Sequence, residues 1–149
     1  MENINFLEIN NSEIKEVSTS FVYPKGTYSL KLDEVKQVDG ESLSRVVFNY
    51  TIEDVADTDA NVNIAALIGK KITDSITIWN RTPEEIKESL GKVKFAAINS
   101  GAEKDTAGSL SQLISTAIGK VTMHKVFASA GKDGITRNRI DWTQFKPKA

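Results

Sequence analysis

The sequence predicts a mainly β protein with a helical region set inside it. Three observations carry this. Five segments alternate apolar and polar residues at a period of two, a helix-start signal follows the third of them, and turn residues punctuate the intervals. With 149 residues, the chain reads as one domain, 1–149, large enough to bury a core without staples.

The first strand lies in "YPKGTYSLKLDEVKQVDG". Tyr28, Leu30 and Leu32 share one face, and Thr27, Ser29, Lys31 and Asp33 the other. A turn at Val38 to Ser42 leads to "SRVVFNYTI", where Val46, Phe48, Tyr50 and Ile52 line one face. The two runs form an antiparallel hairpin. "EDVADTDAN" follows as an acidic loop, and the span 53–65 reads as a loop or insertion. The third strand, "GKKITDSITIWN", points Ile72, Ile76 and Ile78 one way around Asp74, and Thr73, Ser75, Thr77 and Trp79 the other.

A helix starts at Thr82, the N-cap, with Pro83 at the first helical position and Glu85 completing a capping box. Ile86, Leu90, Val93 and Ala97 continue its stripe, weakened by Gly91. After a loop from Asn99 to Gly108, Ser109 and Gln112 form a second capping box, and that helix stops at Gly119. "KVTMHKVFAS" and "GITRNRIDW" are the last two strands, joined by the turn around "AGKDG".

Composition narrows the chemistry. There is no cysteine, which removes disulfides, thiolate nucleophiles and thiolate metal sites and fits a reducing compartment. A single histidine, His124, gives a catalytic triad or histidine-rich zinc site little to stand on. "GKKIT" and "GKVT" lack the upstream glycine of a phosphate loop, since Ile64 and Ile114 occupy those positions. "DTDANVN" has the stagger of a calcium loop at Asp57, Asp59 and Asn61, but Val62 replaces its glycine and Ile68 its closing Glu. No catalytic residue, metal or cofactor is expected. Nor is a membrane span or a signal peptide, so the expected location is the cytoplasm, of a host cell if the chain is phage-encoded.

The net charge is −1, but it is unevenly spread. Residues 1–22, an acidic leader, hold four Glu and one Lys, whereas 120–149 hold seven Lys or Arg and two Asp. Such a gradient can leave one basic face on a near-neutral molecule.

Five strands with helical structure between the third and fourth is the order of an OB-fold, a five-stranded Greek-key barrel that binds oligonucleotides or oligosaccharides. Several pieces together strengthen this: "NINFLEINNSEIKEV", "YPKGTYSLKL", "GKKITDSITIWN", "LISTAIGK" and "GITRNRIDWTQFKPKA". From about Met1 to Pro147 the chain resembles a family of short phage OB-fold proteins, single-stranded-DNA-binding-like, that accompany replication and recombination genes. The resemblance implies a largely sequence-independent binder of single-stranded DNA, with RNA as the other option and phage replication or recombination proteins as partners.

Such a surface needs cations for phosphates and aromatic faces for bases. Trp79 is the first stacking candidate, on the Thr73–Ser75–Thr77 face; the bland reading packs it under the Thr82 helix. Tyr23, at a strand entrance, is another, while the parity of Trp142 with Ile140 moves it toward the core, as it does Phe48 and Tyr50. Arg137 and Arg139 share a face, as do Lys125 and Phe127 on the preceding strand, and Lys31, Arg45, Lys70 and Lys71 could extend the basic patch. The competing expectation, from near-neutral charge and the acidic loop, is a structural or protein-interaction β-domain such as a virion component or adaptor.

Overall fold

The structure is a computed structural model that describes residues 5–13, 22–41, 43–58, 63–79, 81–131 and 133–147. Strands β1 (Gly26–Asp39), β2 (Leu43–Thr58), β3 (Lys71–Trp79), β4 (Val121–Ala130) and β5 (Thr136–Pro147) form one antiparallel sheet, ordered β3-β2-β1-β4-β5. Helix α1 (Ile64–Leu67) precedes β3; α2 (Pro83–Asn99) and α3 (Leu110–Ser115) lie between β3 and β4. Two short 3-10 turns occupy Phe6–Glu8 and Asn11–Glu13 of the acidic leader.

Period-two alternation places the core as expected. Tyr28, Leu30, Leu32, Val46, Phe48, Tyr50, Ile52, Ile72 and Ile78 are buried together, with Val93, Ala96 and Ala97 of α2 against them. The inward residues of β1, β2 and β3 thus cover one another while their neighbours face outward. Tyr50 and Trp142 carry polar tips into this layer. The indole Nε1 of Trp142 donates to the Tyr50 hydroxyl at 2.9 Å, and that oxygen shares a 2.6 Å hydrogen bond with Ser100 Oγ. Trp142 packs against the core with its ring 5.5 Å from that of Phe48.

Three expectations need correction. Residues 53–58 are not loop: β2 runs on to Thr58, pairing Ile52 with Leu30, Val55 with Tyr28 and Thr58 with Gly26. Buried Val55 anchors this acidic extension, and Lys31 pairs with Glu53 at 3.5 Å across the strands. Of the remainder of 53–65, positions 59–62 lie outside the described residues, and Asn63 caps α1 by accepting the Ala65 N–H. Second, the capping box at α2 is half made. Thr82 accepts the Glu85 N–H, but the Glu85 carboxylate turns back to Arg81 at 2.9 Å. The box predicted at α3 is complete, with Ser109 and Gln112 bonding each other's backbone.

The third correction concerns closure. Among the described residues, β3 pairs only with β2 and β5 only with β4, so the sheet has an open seam rather than a closed barrel. Side chains bridge this seam. Asp74 of β3 accepts the Ile140 N–H of β5 at 2.9 Å and the Arg139 Nε at 3.0 Å. At one end Tyr23 ties both edges: Asn138 Oδ1 accepts its N–H at 2.8 Å, and its hydroxyl donates to the Lys71 carbonyl at 2.8 Å. Asn99 of α2 donates to the Trp142 carbonyl at 2.6 Å.

Candidate nucleic-acid interface

A groove of about 770 Å³ runs along the seam. Its floor is the outer face of β2 and β3, where Arg45 pairs with Thr77 and Val47 with Ser75. Val38, near the tip of the β1–β2 hairpin, marks one limit and Asp133, in the β4–β5 turn, another. Arg137, Arg139 and Trp142 supply the β5 bank, and Lys92 enters from α2.

Trp79 ends β3 at the groove and is 44% exposed, so its ring is available as a surface. Helix α2 is tied to its backbone, because Ser89 Oγ accepts the Trp79 main-chain N–H at 3.3 Å. The Arg81 guanidinium sits 5.2 Å from the indole centroid, a cation–π distance, and Glu85 holds it there.

The two β5 arginines reach the groove already partnered. Arg137 donates to Asp133 through both terminal nitrogens, at 3.2 and 2.7 Å. Those hydrogen bonds, with the Ile135 N–H, hold the Asp133 carboxyl down at about 2. Arg139 is spent on Asp74, which is almost wholly buried. Burial pushes the Asp74 carboxyl above the ordinary aspartate value, while the Ile140 N–H and the Arg139 charge pull against it.

Phe127 pairs directly with Arg139 across β4 and β5, as the expected patch requires, but Lys31, Lys70, Lys71, Lys125 and Tyr23 do not line this groove. Lys31 and Lys71 form a network around Asp33 and Glu53, at 3.2 to 3.9 Å, and neither lines the groove. Burial opposes it, but hydrogen bonds from Thr51 and Lys71 leave the Asp33 carboxyl below its usual value. Lys70 is exposed just before β3. Lys125 and Phe127 line a second groove of about 760 Å³ with Lys25, Thr27, Asp57 and Asp141, where two lysines face two aspartates. Tyr23 is a strut across the seam rather than an exposed platform: it is half-buried, and burial raises its hydroxyl pKa. Its hydroxyl is committed to a backbone carbonyl, which fixes the ring.

Lys92, Arg81 and the Asp74 carboxylate belong to the site without having been expected there. The parity of Asp74 with three isoleucines was the readable signal, since an acid on an apolar face needs a partner. Nothing in the helical period separates Lys92 from its exposed neighbours Lys87 and Lys94. His124 is fully buried in β4, its Nε2 2.6 Å from Thr122 Oγ1, and burial drives its pKa down to about 4. Among the described residues, no group of three or more His, Cys, Asp or Glu could hold a metal ion, and no helix is long and apolar enough to cross a membrane. No protein-family model matches the sequence, and no curated protein is significantly similar to it.

Proposed function

We propose that this protein binds single-stranded DNA with little sequence preference, through an OB-like barrel, in phage replication or recombination. The phage setting rests on the resemblance of the sequence alone. The observation that supports the binding reading best is the groove itself. It lies over the outer face of β2 and β3, between the β1–β2 hairpin and the β4–β5 turn, with an exposed tryptophan and cations from three elements. A partly open five-stranded barrel that uses its second and third strands and those two loops is the OB mode of oligonucleotide binding. Bases stack on Trp79 and phosphates meet cations beside it, an arrangement that is tolerant of sequence because every base has a π-face. No bond is made or broken.

The second reading, a protein-interaction domain, draws on the second groove, where charges balance around an exposed Phe127. Fluorescence titration separates the two. Oligothymidylate should quench tryptophan emission, duplex DNA should not, and quenching should weaken as salt rises. Absence of quenching and of gel retardation at low salt rejects single-strand binding and leaves the interaction domain.

A further inference from the structure

We infer that the phosphate-binding subsite of the groove is made by Arg45 and Lys92, converging on Trp79, and not by the arginines of β5. The inference rests on the single-strand-binding reading and assigns the cations within that site.

Among the described residues, four cations line the groove: Arg45, Lys92, Arg137 and Arg139. Two are neutralised in place. Arg137 has both terminal nitrogens on Asp133, and Arg139 has its Nε on Asp74. A phosphate that captured Arg139 would strand a carboxylate that is almost wholly buried, which is strongly unfavourable. Capture of Arg137 requires breaking a forked pair with the same geometry that an incoming phosphate offers. Among the described residues, Arg45 and Lys92 have no carboxylate within ion-pair distance. Among the described residues, the charge that the groove has left for a ligand is theirs.

Their placement matches a nucleotide. Arg45 lies directly across from Thr77, and Leu43 directly across from Trp79, so Arg45 and Trp79 are diagonal neighbours on one sheet face, roughly 7–8 Å apart at Cα. Lys92 is three residues beyond Ser89, whose hydroxyl accepts the Trp79 main-chain N–H, so it lies one helical turn from that contact. The two cations thus line the groove that holds Trp79 from separate elements, β2 and α2. Arg81, clamped by Glu85, orients the ring and is itself committed. A base laid on Trp79 has its flanking phosphates within reach of both free cations.

Two neutralised phosphates give a definite salt response. The logarithm of the binding constant should fall by about 1.4 per tenfold rise in salt, about 0.7 for each contact. The test measures anisotropy of a short fluorescein-labelled oligothymidylate against the full chain over a range of salt. Variants Arg45→Gln, Lys92→Gln and Arg137→Gln are compared, with urea midpoints to verify folding. Arg45→Gln and Lys92→Gln should each lower the slope by about 0.7, and the double variant should leave almost none. Arg137→Gln should leave the slope unchanged. The inference is overturned when wild type binds but Arg137→Gln takes the slope, or when neither Arg45→Gln nor Lys92→Gln changes it. Failure of the wild type to bind at low salt is a different result: it removes the single-strand reading and this assignment with it.

Discussion

Asp74 of β3 holds Arg139 of β5 at 3.0 Å across an edge that no backbone ladder joins. Its other contact there, the Ile140 N–H, is a main-chain donor that a neighbouring strand would ordinarily satisfy. A single carboxylate therefore does part of the work of strand pairing. Arg139→Ala should cost about 1.5–3 kcal/mol, the range for a hydrogen bond to a charged group. Asp74→Ala should cost at least as much, because it also orphans the Ile140 N–H. Both appear as lower urea midpoints with unchanged m-values.

His124 predicts the acid limb of stability. Its folded pKa is depressed to about 4 from 6.5, so between those values the unfolded chain binds the extra proton. The contribution of the neutral imidazole is complete above pH 6.5 and is lost as pH falls toward 4, amounting to about 3 kcal/mol over the full interval. Urea midpoints between pH 6.5 and 4.5 should fall steeply in wild type and much less in His124→Gln. Equal slopes in the two proteins would show that another group drives acid unfolding.

Two glycines make opposite predictions. Gly91 lies mid-helix in α2 at an ordinary helical φ, and an added Cβ there meets nothing within 4 Å. Gly91→Ala should stabilise by about 0.8–1 kcal/mol from helix propensity alone. At Gly26, where β1 begins against the end of β2, an added Cβ would run into the Asp57 carbonyl. Gly26→Ala should destabilise by about 1–3 kcal/mol as the strands are forced apart. Thermal unfolding of both variants checks the pair.

The two tryptophans should separate by quenching. Trp79 is exposed, whereas Trp142 is partly buried against Phe48 with its indole N–H on Tyr50. Acrylamide should quench Trp142→Phe strongly and Trp79→Phe weakly, and oligothymidylate should follow the same order. Strong quenching of Trp79→Phe by oligothymidylate would move the stacking surface to Trp142.

Strand parity made most of the core legible, because burial follows a period of two wherever one face is covered. Tyr28, Leu30, Leu32, Val46, Phe48, Tyr50 and Ile52 all fell on the expected side. The capping box at Ser109 was equally readable, being local chemistry. The acidic end of β2 was not: Glu53, Asp54 and Asp57 disguise a strand held by buried Val55 and by cross-strand partners distant in sequence. The site was legible in type but not in assembly. Trp79, Arg45, Arg137 and Arg139 do meet at one groove, yet the partners that consume two of those cations lie on a turn and on the opposite edge of the seam. Lys92 reaches the groove only because α2 folds back over the end of β3.

The seam also divides the molecule by how its parts come open. Releasing β5 from β3 needs the loss of side-chain contacts at Asp74 and Tyr23 and breaks no strand ladder, so it is a smaller event than unfolding the sheet. The amide of Ile140 is freed by that event without unfolding of the sheet. Its proton is shielded by the Asp74 carboxylate, so its solvent exchange should be set by how often the seam parts. The amide protons of the β1–β2 ladder should exchange only with the whole fold, and the gap between the two rates measures how independently the groove can widen.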